Sequence, residues 1–179
     1  EAGLGGVEKL AGIPGTLGGA IYQNSGNRDY ETRQIVAAVT FWDIARKKIR
    51  TLRATELKFS YRASCFHQMP AVILSADLEL QPASREAMME EVNARMKHRQ
   101  TTQPTGRSIG CIFKNPEGRS AGQLIDEAGL KGRKAGGLVI SDIHGNFFLN
   151  DGRATFRDFE ELVETARAEI KNKFGILLE

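Results

Sequence analysis

The stretch Leu10-Ala11-Gly12-Ile13-Pro14-Gly15-Thr16-Leu17-Gly18-Gly19-Ala20 constrains this chain more than any other, because it sets four glycines within eight positions around one proline. Ordered glycine gives up more backbone freedom than any other residue, so such a run needs positive φ, a tight turn or a ligand lying against bare peptide. Backbone N–H groups uncovered by side chains form a concave site for an anion, phosphate above all. The spacing is neither G-x-G-x-x-G nor G-x-x-x-x-G-K-[ST], which argues against an ordinary dinucleotide fold or a P-loop. A Gly-rich turn that opens a packed helix fits the same residues, and on this stretch alone both readings stay open.

The chain has 179 residues, 41% hydrophobic and 26% charged, the composition of a folded protein of one large or two small domains. No apolar run approaches the ~20 residues that span a bilayer, and no basic segment with an apolar core opens the chain, so a cytoplasmic protein without membrane contact is expected. Cys65 and Cys111 lack metal-ligand spacing and are too few for a disulfide scaffold; reduced thiols and no metal site are expected. The net charge of +3 is small. Arg46-Lys47-Lys48 and Lys131-Gly132-Arg133-Lys134 lack interleaved aromatics and read as solvated faces, not as a nucleic-acid surface. An anionic small molecule suits that balance. Glu1-Ala2-Gly3-Leu4 has neither an initiator Met nor a polar tail, from which a piece of a longer protein is expected.

Hydrophobic pattern predicts strands over residues 35–41, 48–52 and 71–80, the last closed by Pro82. A helix capped by Ser84 follows, with Met88, Met89, Val92 and Met96 expected to pack into a core. The polar run Gln100–Thr105, with Pro104, makes a connection, giving regions 1–100 and 101–179. Ser120-Ala121-Gly122-Gln123 is a capping-box signature for a short helix that stops at Gly129. Residues 137–141 and 146–150 read as a strand pair around a turn. A last helix starts near Thr155, buries Phe156, Phe159, Leu162, Val163, Ala166 and Ile170, and ends before Gly175. The mixture of elements is that of an α+β protein.

Two further segments can carry chemistry. In Ser108-Ile109-Gly110-Cys111-Ile112-Phe113-Lys114-Asn115-Pro116 an extended strand would put Cys111, Phe113 and Asn115 on one face and Lys114 on the other, so that thiol and amide meet one ligand. Cysteine is also a common core residue, and that reading stays open here. In Phe59-Ser60-Tyr61-Arg62-Ala63-Ser64 a phenol stands beside a guanidinium, which can fork onto a carboxylate or phosphate or simply face solvent. His144, in a turn, is a ligand contact or an exposed residue; His67 and His98 offer nothing specific.

These segments in this order, with Gly129-Leu130-Lys131-Gly132 and His144-Gly145-Asn146-Phe147, resemble the UDP-N-acetylenolpyruvoylglucosamine reductase (MurB) family. The likeness covers nearly the whole chain, and the short gap from Arg62 to Cys111 is similar to the type II branch. The resemblance implies part of a vanillyl-alcohol-oxidase/PCMH-like FAD-binding fold in 1–100, without its first FAD subdomain, and the C-terminal substrate-binding subdomain in 101–179. It implies FAD and NADPH as cofactors, UDP-N-acetylglucosamine enolpyruvate as small-molecule substrate, a monomer, and a role in peptidoglycan synthesis. Ile13, Pro14, Gly15, Thr16, Gly18, Gly19 and Ala20 match the loop that lies along FAD. Arg62 matches the arginine that polarises the substrate carboxylate, and Tyr61 the tyrosine lining the pocket. Asn115 matches a substrate-binding position, with Lys114 beside it. Cys111 stands where the family usually has the serine that donates a proton to C2; a thiol, with an ordinary pKa of ~8.5, is a stronger acid than an alcohol. The family's catalytic glutamate lies just past a Phe-Gly-Ile-x-Leu-Glu ending, and Phe174–Glu179 stops short of it, so Glu179 is not expected to be that residue. Another FAD oxidoreductase of the same fold and a non-catalytic UDP-sugar-binding remnant are the alternatives.

Overall fold

The computed structural model describes residues 3–27 and 29–179. It divides into two compact units, Glu1–His98 and Arg99–Glu179. In the first, strands β2 (Val36–Asp43), β3 (Lys48–Arg53) and β4 (Ala71–Leu78) form an antiparallel sheet in the order β3-β2-β4. β2 is central because its alternation serves a core face: Val36, Val39, Phe41 and Asp43 are buried while Trp42 points outward. Val39 sits opposite Leu52 on one side and Ala76 on the other. Onto this face packs Ile21 of helix α1 (Leu17–Tyr22), with Leu57 and Phe66, whose ring meets Phe41 edge-on at 5.2 Å. The opposite face exposes Trp42, Ile49, Val72 and Leu74. Two short strands, β1 (Leu4–Gly5) and β5 (Gln81–Pro82), pair separately.

Helix α2 (Arg85–Thr102), in which the chain passes from the first unit to the second, is capped by Ser84, whose Oγ accepts from the Ala87 amide at 3.1 Å. It runs into the segment expected to be a connection and stops two residues before Pro104, where a following proline disfavours helix. The expected methionine core does not form. None of the helix's described residues is buried, and Met89 and Met96 are 50% and 40% exposed. Met88, Val92 and Met96 make a seam one residue wide between charged neighbours, narrower than the stripe that buries a helix.

The second unit sets helices α3 (Ala121–Glu127) and α4 (Phe156–Phe174) against an antiparallel meander of β6 (Lys134–Ala135), β7 (Leu138–Ile140) and β8 (Phe148–Asn150). Its core gathers Leu124 and Ile125 from α3, Ile140 and Phe148 from the sheet, and Leu162 and Ile170 from α4. α4 starts where expected. Thr155 Oγ1 accepts from the Asp158 amide and the Asp158 carboxylate in turn accepts from Thr155 N at 2.9 Å, while Gly175 ends the helix at φ +69°. Asp158 also accepts from Gly137 N, tying the helix start to the β6–β7 turn; these amide bonds, that from Thr155 foremost, hold its carboxyl below the usual range. Phe156, expected inside, is 72% exposed: as the first helical residue it lies beyond the stripe's end and stacks on Phe159 at 6.2 Å. Among the described residues, no helix is long and apolar enough to cross a membrane, and no group of three or more His, Cys, Asp or Glu is placed to hold a metal.

Asp43 locks the β2–β3 turn. Its side chain is buried and accepts from the Arg46 amide (2.8 Å) and the Arg46 and Arg50 guanidinium groups (3.0 and 2.9 Å). The amide bond first, then the Arg50 guanidinium, brings its pKa from 3.8 to about 2. Because the folded-state value is the lower one, the unfolded chain takes up the proton first. The contribution is complete above the unfolded value and is lost as pH falls from about 4 to about 2. Asp43→Asn should therefore lower the urea midpoint at pH 7 and flatten its fall below pH 4, read by circular dichroism.

Candidate functional site

The Gly-rich loop turns on two left-handed glycines, Gly12 at φ +77° and Gly15 at φ +127°. A Cβ on Gly15 would meet nothing within 4 Å, so backbone conformation, not crowding, demands glycine there. Thr16 then caps α1: its Oγ1 accepts from Gly19 N at 3.2 Å and its carbonyl from Ala20 N at 2.9 Å. The amides of Leu17 and Gly18, in the first helical turn, have no intrahelical acceptor. Ile13, Pro14, Gly15, Thr16, Gly19 and Ala20 line an open cavity of about 560 Å³. Gly18 does not line it; a Cβ there would meet Ile73 at 3.8 Å, an ordinary contact, so neither crowding nor a positive φ demands glycine at this position.

Tyr61 and Arg62 are the central residues of a two-residue turn closed by paired bonds between Ser60 and Ala63. Arg62 takes φ +53°, a position that favours glycine or asparagine and carries roughly 1 kcal/mol of strain for other residues. Its guanidinium donates to the carbonyls of Gly26 (2.7 Å) and Asn24 (3.4 Å), lies 3.7 Å from Glu31 Oε1, and sits over the Tyr61 ring at 5.0 Å. Two of its N–H groups are thereby used, and the fork has others to offer. Asn24, which sequence reasoning missed, organises the site. Fully buried at φ +44°, it donates from Nδ2 to Ser60 O (2.9 Å) and Glu31 Oε2 (3.1 Å) and accepts from Arg33 N at 3.0 Å. The available signal was Asn24-Ser25-Gly26-Asn27, a run of turn residues in which asparagine tolerates the left-handed region.

In the second unit the segment around Cys111 is not the extended strand expected. Cys111 is exposed, so it is not a core residue, whereas Phe113 is buried against Phe148; the two do not share a face. The physical reason is that Phe113 is held by the Asn146 side chain instead of a strand ladder, so the pleat of a strand is not kept. Cys111 pairs with Phe147 as an isolated bridge. Lys114 donates from its amide to Glu179 O (2.9 Å) and from Nζ to Glu179 Oε2 (3.1 Å). Asn115 accepts from Ala121 N at 3.0 Å, at the start of α3, and both Lys114 and Asn115 are exposed. His144 is half-buried, and burial pushes its pKa down. A cavity of about 540 Å³, walled by Ile109, Ile112, Leu138, Phe148, Phe156 and Phe159, lies at the start of α4.

Fold and sites together define an α+β chain that offers an open glycine-loop cavity on one unit and an exposed thiol-bearing segment on the other. Residues 100–179, all but the first residue of the second unit, match the family described as UDP-N-acetylenolpyruvoylglucosamine reductase, C-terminal domain. The whole chain is similar to curated proteins named UDP-N-acetylenolpyruvoylglucosamine reductase. It is 44% identical to that of Chlamydia muridarum over 178 residues, covering 99% of this chain and 59% of the relative. The Chlamydia pneumoniae protein is 41% identical, with 99% and 57% covered, and that of a Caulobacter species 40%, with 100% and 61% covered. The crystal structure of the Thermus caldophilus reductase (MurB) superposes with a TM-score of 0.86 at 36% identity, over 99% of this chain and 64% of that one. The chain thus spans 57–61% of the length of these curated relatives.

Asn24→Ala should destabilise the first unit by about 2–3 kcal/mol, since it leaves buried polar groups unanswered, and measured urea midpoints should show it.

Proposed function

We propose that this chain is the part of a UDP-N-acetylenolpyruvoylglucosamine reductase that carries the flavin loop and the substrate-binding domain. On this reading UDP-N-acetylglucosamine enolpyruvate is reduced to UDP-N-acetylmuramate in the cytoplasm, with FAD and NADPH. The observation that supports it best is the joint one: 99–100% of the chain aligns with reductases of this name, and the aligned loop exposes backbone beside a cavity. The loop fits a flavin nucleotide: Gly15 leaves space that no Cβ fills, and uncovered amides suit its phosphates. Ile13, Pro14, Gly15, Thr16, Gly19 and Ala20 would hold it, with Gly18 in the first turn of the helix behind the loop. Bound FAD would supply hydride, drawn from NADPH, to C3 of the enolpyruvyl group.

The chain's own residues do the rest. Addition at C3 leaves enolate-like charge at C2 and the carboxylate, which Arg62 stabilises through the part of its fork not engaged by Asn24 and Gly26. Tyr61 keeps that guanidinium oriented from beneath. Cys111 Sγ–H donates the proton to C2, and Lys114 and Asn115 bind the substrate.

The test uses a polypeptide extended to the relatives' full length, read by bound yellow flavin and by NADPH oxidation that requires the enolpyruvyl substrate. Arg62→Ala should lower kcat by about 10²-fold or more while NADPH still reduces the flavin. Cys111→Ala should slow turnover by about 10²-fold, and Cys111→Ser should restore it. Absence of both flavin and turnover would favour the non-catalytic sugar-nucleotide binder.

A further inference from the structure

His144-Gly145-Asn146-Phe147 has a place in the order of motifs but no chemistry so far. Asn146 is 2% exposed. Its Oδ1 accepts from Phe113 N at 2.9 Å and its Nδ2 donates to Phe113 O at 2.8 Å, while its own carbonyl accepts from Ile112 N at 2.9 Å. One planar carboxamide thus satisfies both peptide groups of Phe113, as a paired strand would. The next residue, Phe147, is the bridge partner of Cys111.

The neighbours of Asn146 hold it in that place. His144 Nδ1 accepts from the Asn146 amide at 3.2 Å, which puts the imidazole proton on Nε2, and the ring stands edge-on to Phe147 at 4.9 Å. A Cβ on Gly145 would lie 2.7 Å from Gly122 O and 3.1 Å from Ile125 Cβ, so only glycine lets the turn sit this close to α3. Ser141 Oγ accepts from the amides of Ile143 (3.1 Å) and His144 (3.3 Å), closing the turn's other side.

We propose that Asn146 is the positioning residue for Cys111, fixing residues 112–113 behind the thiol so that Sγ is presented from a defined backbone. Its functional meaning rests on the reading of Cys111 as proton donor. Only a neutral group of this length that both donates and accepts serves: a carboxylate keeps the bond from Phe113 N but repels the Phe113 carbonyl, and alanine loses both bonds.

Amide hydrogen exchange of the 179-residue chain, followed by NMR, tests this. Asn146→Ala should speed exchange at Ile112 and Phe113 by tenfold or more, while core amides of α4 keep their protection. Asn146→Asp should show the same loosening at pH 7 and recover at a pH low enough to protonate the carboxyl, which then donates as well as accepts. Ser141→Ala, which weakens the same turn but spares the clamp, should leave Ile112 and Phe113 protected. If Asn146→Ala does not fold, the aspartate variant's pH-dependent recovery decides. Unchanged exchange at Phe113, or equal loosening in Ser141→Ala, overturns the proposal. Failure of the catalytic reading shows separately, as turnover of the extended polypeptide that Cys111→Ala leaves intact.

Discussion

A buried asparagine that answers the peptide groups of a distant segment is the interaction on which both candidate sites depend. Asn24 does this in the first unit and Asn146 in the second. Each unpaired buried peptide group costs about 1–3 kcal/mol, so a side chain that satisfies two of them decides the local path of the chain. That is how irregular segments can be held as firmly as strands. Arg62 and Cys111 both lie on such segments, where a regular ladder would have covered the backbone around them.

Arg62 shows how closely fold and chemistry are joined. The guanidinium closes the loop at Asn24 and Gly26 while standing over a half-exposed tyrosine ring. Lysine could supply the charge, but a single ammonium cannot span two carbonyls and still offer a planar edge. The left-handed backbone at this residue is strain retained in a turn whose geometry aims the side chain.

What the sequence made legible follows the range of the interactions. Caps and periodic stripes are local, so Ser84, Thr155 and Gly175, the apolar run that reaches Phe41 and the α4 stripe were readable from neighbours a few positions away. Phe156 failed because periodicity says nothing about where a stripe ends, and Met88 to Met96 failed because spacing alone does not measure a stripe's width. The remote contacts of Asn24 and Asn146 were invisible for a deeper reason: the peptide groups they answer lie 36 and 33 residues away, and nothing in a loop's composition names a remote peptide group. The Cys111 strand was misread for the same cause. The order of motifs did lead to the name that the matching family model and relatives carry, since it records the product of those distant contacts without describing them.

The outward face of the β3-β2-β4 sheet carries Trp42, the chain's one tryptophan, at 39% exposure. Indole emission is therefore a spectroscopic voice for the first unit only. An unfolding curve recorded by that fluorescence is silent about the helices and meander that hold Cys111. Agreement between such a curve and a probe of overall helicity would mean that the two units melt together, and separation would resolve two transitions in a chain this short.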